Sequence, residues 1–282
     1  MPRKLFTHQA YRHKVVLVTG GCSGIGRALA LRFAQAGSHL VILDLDQAAL
    51  DSLVQHLREH HNVEALGLRC DIADAEAVRR CVALAIERFG GIDVLVNNAG
   101  ITHRSQFADT DLGVFQRVMA VNFYGALHCT QAALPSLLAR RGQIVVLSSL
   151  TGFAPLLYRS AYNASKHALH GLFDTLRMEL DGTGVAITLA CPGFTATDLR
   201  KNALVGDGSV IRQPAVVLGA EVASPRDVAE AIYQGALRRK RLLVLSNVNW
   251  RARLLARFFP RLFEKLLVPK MSGLKPGRRR LS

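Results

Sequence analysis

Seven short, nearly continuous apolar runs constrain this chain more than any other feature. They are VVLVT (15–19), LVILD (40–44), ALGLRC (65–70), DVLVN (93–97), IVVLS (144–148), VAITLA (185–190) and LLVLS (242–246). A strand with one face in water alternates apolar and polar side chains. These runs do not alternate, so both faces need covering. Helix-length segments such as IGRALALRFAQAG and AEAVRRCVALAIERFG lie between most of them. Repeated β–α alternation predicts a parallel sheet with right-handed crossovers and helices on both faces. The expected fold is α/β, a doubly wound parallel sheet of seven strands in a single domain. Its expected bounds are 13–248, with an N-terminal arm over 1–12 and a C-terminal extension over 249–282.

The first run leads directly into GGCSGIG (20–26) and then into RALALRFAQAG. Glycines at 20, 24 and 26 permit a sharp turn that brings a helix N-terminus against a pyrophosphate, with Ser23 and Ile25 completing the loop. A glycine loop between the first strand and its helix is the mark of a Rossmann-type dinucleotide site. The second strand ends in Asp44, 18 residues after Gly26. An acid there accepts both hydroxyls of an adenosine ribose and favours NAD; a helix N-cap is the other reading of Asp44. NADP would require a basic residue nearby, whereas Leu45 follows, although Arg27 sits just inside the helix.

Charge bears on partners. The 282 residues carry a net +15, which spread evenly would suggest nucleic acid or an anionic membrane. Residues 238–282 hold 14 Lys/Arg against the single acid Glu264, so +13 belongs to the C-terminal end and +2 to the rest. The five cysteines are odd in number and form no CxxC pair, which argues against a disulfide framework or a zinc site and fits a reducing compartment. The N-terminal MPRKLFTHQAYRHK lacks the apolar core of a secretory signal, and no run approaches the roughly 18 apolar residues of a spanning helix. The expected location is cytoplasmic, with peripheral membrane contact open. Among the ten histidines none shows metal-ligand spacing with acids or cysteines, so no metal is expected. Sequence neighbours put His39, His56, His60, His61, His167 and His170 on helix surfaces or strand edges.

Tyr162 and Lys166, four apart in YNASK, share one face if that segment is helical. A free tyrosine has a pKa near 10. A nearby ammonium favours the phenolate and makes Tyr162 a usable acid or base. TGGCSGIG, NNAG (97–100), Ser149 with Tyr162 thirteen residues on, YNASK and CPGFTAT (191–197) together resemble the short-chain dehydrogenase/reductase family over residues 13–248. The resemblance implies that Tyr162 moves the proton to and from the substrate oxygen. Lys166 would hold the nicotinamide ribose and lower the tyrosine pKa, and Ser149 would hydrogen-bond the substrate oxygen. Asn122, in MAVNFYG, would carry a water in a proton relay, or be a buried helix asparagine. Asp71, with Ile72 beside it, would contact adenine. Asn98, Ala99 and Gly100 would line the adenosine side. Pro192, Gly193, Thr195 and Thr197 would fix the carboxamide, Thr195 through its backbone. The family also implies a homodimer or homotetramer.

Substrate selection is expected from the loops at 102–107, 150–158, Phe194 and 198–218. They offer Phe107, Phe153, Leu156, Leu157, Tyr158, Phe194, Leu199 and Leu204, a composition suited to a lipophilic alcohol or ketone such as a steroid, retinoid or long-chain acyl derivative. His103 and Arg104 are the polar exceptions, expected on the loop surface. An NADPH-dependent ketoreductase and a non-catalytic membrane-associated protein are the rival readings. In WRARLLARFFPRLFEKLLVPK (250–270), Leu255, Phe259, Leu262, Phe263, Leu266 and Leu267 gather opposite Arg253, Arg257, Arg261 and Lys265. Pro260 predicts a break into two helices, near 250–258 and 260–268. Residues 250–280 are read as packing on the core or a second subunit, or as lying on an anionic membrane. Nucleic acid is not expected, because large aliphatics interleave the bases.

Overall fold

The computed structural model describes residues 10–197, 199, 202–210, 222–245 and 247–272. Much of the expected arm, part of the 198–218 loop and the last residues of the extension lie outside this set. The seven apolar runs form seven strands: β1 Val15–Thr19, β2 His39–Asp44, β3 Ala65–Arg69, β4 Val94–Asn97, β5 Gln143–Leu147, β6 Ala186–Pro192 and β7 Leu242–Leu245. All pair in parallel, in the order β3-β2-β1-β4-β5-β6-β7. The order reverses between β1 and β4, and a crevice opens there at the strand carboxyl ends, where ligands bind in doubly wound folds.

Strand side chains alternate between two cores. Val16, Val18, Leu40, Ile42, Val94, Val96 and Val145 face α1 (Gly24–Gln35), α2 (Gln47–His61) and α7 (Pro225–Leu237). Val15, Leu17, Val41, Leu43, Leu95, Ile144 and Val146 face α3 (Ala75–Phe89), α5 (Gly125–Ala139) and α6 (Ser160–Glu179). Both strand faces are therefore dry, which is why the runs lack a polar period. Between α3 and α5 lies α4 (Leu112–Met119), which joins α5 through a π-turn over Ala120–Tyr124.

Two details differ from the sequence reading. Tyr11, assigned to the arm, is 7% exposed. Its hydroxyl donates to Gln143 Oε1 at 2.8 Å and its ring packs edge-on to Phe33 at 5.0 Å, so the core extends back beyond residue 13. The extension forms α8 (Asn247–Phe258) and α9 (Pro260–Ser272), the second running past the expected end. Pro260 opens α9, a first-turn position where its missing N–H has no intrahelical acceptor to lose. Among the described residues no helix is long and apolar enough to cross a membrane, and no group of three His, Cys, Asp or Glu is placed to hold a metal.

Candidate active site

The crevice is a cleft of about 480 Å³. Its nucleotide-side wall is built by backbone fit. Gly20 stands at φ +62° and Gly24 at φ +51°, conformations that side chains disfavour. A Cβ on Gly20 would meet Ala99 Cα at 2.9 Å. Gly26 does not line the cleft. It is buried in α1, where a Cβ would stand 2.1 Å from the Gly20 carbonyl oxygen. There the missing side chain lets the helix close onto the loop. Asn98 Nδ2 donates to the Thr19 and Gly20 carbonyls at 2.9 and 3.0 Å, and Thr19 Oγ1 accepts from the Asn98 and Ala99 amides at 3.0 Å. These bonds lock the β1 tip to the β4 tip; Thr19 was not among the sequence candidates.

Ser23 begins α1 without a side-chain cap bond, and no acid occupies the first turn. By contrast, side chains of Asp46, Asp74 and Ser224 cap α2, α3 and α7. The α1 amides are thus left for an anion. Asp44 lies on the cleft wall, its oxygens accepting from the Cys22 amide at 2.9 Å and the Leu45 amide at 2.8 Å. It caps no helix; Asp46 does that. The Cys22 thiol also hydrogen-bonds to it, and the carboxylate still has acceptor capacity for a further donor. Ser23, Ile25, Asp71, Ile72, Gly100, Pro192, Gly193, Thr195 and Thr197 also line the cleft. Thr195 Oγ1 donates to the Gly193 carbonyl at 3.3 Å.

The catalytic candidates converge from β5 and α6. Ser149 follows β5, and its Oγ accepts from the Thr151 amide at 3.2 Å. Tyr162 and Lys166 lie one turn apart on α6, both buried, with Nζ 5.7 Å from the Tyr162 ring centroid. Lys166 Nζ donates to the Leu147 carbonyl at 2.8 Å. Burial brings the Lys166 pKa down to about 8. For Tyr162, burial raises the pKa, while the Arg159 charge and a hydrogen bond with Ser149 lower it. Burial is the largest of these effects, so the net shift is upward.

Asn122 sits in the π-turn, 1% exposed and off the cleft wall. Both its amide protons are committed, to the Ile101 carbonyl at 2.9 Å and Ser165 Oγ at 2.9 Å, and its Oδ1 accepts from the Ile101 amide at 2.8 Å. Its side chain braces the segment after NNAG against α6. The π-turn had no signature in the sequence; such turns favour functional sites.

Three polar residues differ from expectation. His170 is half-buried, its Nε2 3.0 Å from Ser148 Oγ and 3.7 Å from Cys191 Sγ. Burial lowers its pKa to about 4, so the ring is neutral. His103 is fully buried rather than on the loop surface, in an isolated β-bridge with Leu204. Burial, and then the Arg159 charge, lower it to about 4. Arg159, absent from the sequence candidates, lines the cleft at the N-cap of α6 and donates to Thr102 Oγ1 at 3.1 Å. A cation at a helix N-terminus opposes the macrodipole, and that local conflict was the available signal.

On the substrate side Leu150, Thr151, Leu156, Phe194 and Leu199 line the cleft. Phe107 is 74% exposed and packs on Phe115, Leu204 is buried, and Phe153 lies between His170 and Arg253. Leu157 and Tyr158 do not reach the wall.

Residues 14–206 match the family model described as short chain dehydrogenase. The chain is 37% identical over 264 residues to "Dehydrogenase/reductase SDR family member 7B" of Xenopus laevis, covering 90% of this chain and 80% of that one. It is 38% identical over 196 residues to "11-beta-hydroxysteroid dehydrogenase A" of Sesamum indicum, covering 69% of this chain and 56% of that one. A solved short-chain dehydrogenase/reductase of Burkholderia phymatum in complex with NAD superposes with a TM-score of 0.77 at 25% identity, over 96% of this chain and 99% of that one. An alcohol dehydrogenase of Thermococcus sibiricus complexed with 5-hydroxy-NADP gives 0.70 at 25% identity, over 82% and 93%. With the glycine loop, the Ser149–Tyr162–Lys166 set and the sheet order in place, the chain belongs to the short-chain dehydrogenase/reductase family of oxidoreductases.

Proposed function

We propose that the protein interconverts a lipophilic secondary alcohol and its ketone with NAD as cofactor and Tyr162 as acid/base. The observation that carries the reading is Asp44, a carboxylate at the tip of β2 with spare acceptor capacity, followed by the exposed Leu45. Ribose hydroxyls satisfy such a group; a 2′-phosphate would be repelled by it. The uncapped α1 N-terminus and the bare glycine backbone suit a pyrophosphate, so the residues present fit a dinucleotide. When bound, the nicotinamide supplies the hydride acceptor or donor.

The chain's own residues handle the oxygen and its proton. Ser149 and Tyr162 lie side by side on the cleft wall, hydrogen-bonded to one another, and together can hold a carbonyl or hydroxyl oxygen. In oxidation Tyr162 takes the hydroxyl proton as phenolate; in reduction its phenol donates it. The Lys166 ammonium stabilises the phenolate while it stays charged, below about pH 8. Arg159 adds positive potential from the helix start. The apolar wall at Leu150, Leu156, Phe194 and Leu199 supports a lipophilic substrate, and the hydroxysteroid dehydrogenase relative is in keeping with it.

The test is Tyr162→Phe assayed against a panel of lipophilic and polar alcohols and ketones with both NAD(H) and NADP(H). Turnover should fall by about 10³-fold while NAD affinity is kept. A fast wild-type rate with NADPH, or with short polar sugars, overturns the cofactor or substrate reading respectively. Undiminished activity of the phenylalanine variant overturns the role of Tyr162.

A further inference from the structure

We infer that α8 and α9 form a docking face for an anionic bilayer surface. A helix packed only on its own domain turns polar residues outward; these two do not. In α8, Ala252, Leu255 and Ala256 are partly buried, while Trp250, Leu254 and Phe258 are exposed by 54, 38 and 68%. The second set recurs every fourth residue and so forms one stripe on the side away from the first. At 100° per residue Arg251 borders that stripe on one flank and Arg253 and Arg257 on the other. In α9, Phe263, Leu267 and Met271 take the partly buried side, and Leu262 and Leu266 stay exposed, beside Phe259 at the bend. Arg261 and Lys265 are exposed on the opposite flank. Of the six apolar residues that the sequence pattern gathers on one side, Leu255, Phe263 and Leu267 are partly buried and Phe259, Leu262 and Leu266 are exposed.

An apolar stripe with guanidinium borders matches the headgroup boundary of a bilayer. Rings and aliphatic groups enter the acyl edge while arginines extend to phosphates. Charge separates this occupant from a second copy of the chain. Residues 238–282 carry +13 and the remainder +2, so applying one such face to another sets two positive surfaces together. An anionic lipid surface is complementary, and each base strengthens the attraction. One border of the face reaches the turn next to the cleft wall: Arg253 Cζ lies 5.6 Å from the ring centroid of Phe153, which follows the turn Leu150–Gly152 after Ser149. Entry of a membrane-dissolved substrate from that side rests on the lipophilic-substrate reading; the docking itself does not.

Trp250 is the only tryptophan of the chain, so its emission reports on this face alone. The full-length protein is titrated with vesicles of phosphatidylcholine, and of phosphatidylcholine mixed with phosphatidylglycerol, with co-sedimentation in parallel. The expected result is a blue shift and sedimentation with the mixed vesicles, weakened by salt and slight with phosphatidylcholine alone. Leu254→Ser combined with Phe258→Ser should weaken vesicle binding roughly tenfold to a hundredfold with an unchanged thermal midpoint. Arg257→Gln combined with Arg261→Gln should reduce the preference for phosphatidylglycerol. Unchanged emission and no sedimentation at low salt overturn the proposal. A blue shift that follows protein concentration without vesicles, with doubled mass in light scattering, also overturns it and assigns the face to a second copy. Neither readout depends on turnover, so the inference and the proposed reaction fail separately.

Discussion

The nucleotide wall of the cleft and the α8–α9 pair are built on opposite terms. In the wall, backbone meets backbone: Gly20, Gly26, Asn98, Ala99 and Thr19 interlock within hydrogen-bond or contact distance, with no room for an added methyl. In the helix pair, α8 packs on β7 and α9 on α8, while large apolar residues of both are presented outward. Steric over-determination makes the wall intolerant, so its substitutions should damage fold and function together. The pair is held by few buried contacts, so its outer residues are free to serve a partner at little cost to stability.

The strongest attempt to break this contrast is Gly26→Ala. The added Cβ collides with the Gly20 carbonyl, and a loss of roughly 3 kcal/mol with abolished NAD binding is expected. Urea denaturation and NAD titration check it, and wild-type stability would refute the tight closure of α1. Next is Lys166→Met. Moving the Lys166 pKa from 10.5 to about 8 corresponds to roughly 3 kcal/mol of unfavourable burial, less about 1 for the bond to Leu147. The methionine variant should be inactive yet more stable by roughly 1–2 kcal/mol near neutral pH. Between pH 8 and 10.5 the folded wild type binds fewer protons at Lys166 than the unfolded chain. Its stability should therefore rise through that window relative to the variant, converging as Lys166 deprotonates. Thermal melts across pH read this, and parallel curves would contradict it.

Asp44→Ser sharpens the cofactor side. NAD affinity should fall about tenfold and the preference over NADP should shrink, as measured by equilibrium binding of both. The smallest expected effect is Leu254→Ser alone, whose stability should stay within about 0.5 kcal/mol of wild type. A larger loss in a denaturation series would mean that the outer stripe of α8 is packed rather than presented.

Periodicity carried most of the architecture. Continuous apolar runs gave every strand to within about two residues, because a doubly covered strand has no polar period to obscure it. Pro260 marked the α8–α9 break because it lacks an amide for the helix ladder. Tyr162 and Lys166 were legible as a pair because helical spacing puts them on one face, and Ser149 through the motif set that resembles the family. His103 and His170 were misplaced for the opposite reason. Their burial is created by Leu204 and Cys191, far along the chain, and no window of neighbours contains that information.

The sequence by itself determined the α/β alternation, the glycine loop, the acid at the end of β2 and the family that these motifs share. Each of these is local, set by backbone conformational limits or by a period of a few residues. Only the tertiary structure decided that Gly26 packs against the Gly20 carbonyl, that Asn122 spends its amide on Ile101 and Ser165, and that burial outweighs Arg159 and Ser149 at the Tyr162 phenol. It also decided which half of the apolar tail is covered. Those outcomes depend on desolvation and close approach between segments distant in the chain, and such energies exist only once the segments have met.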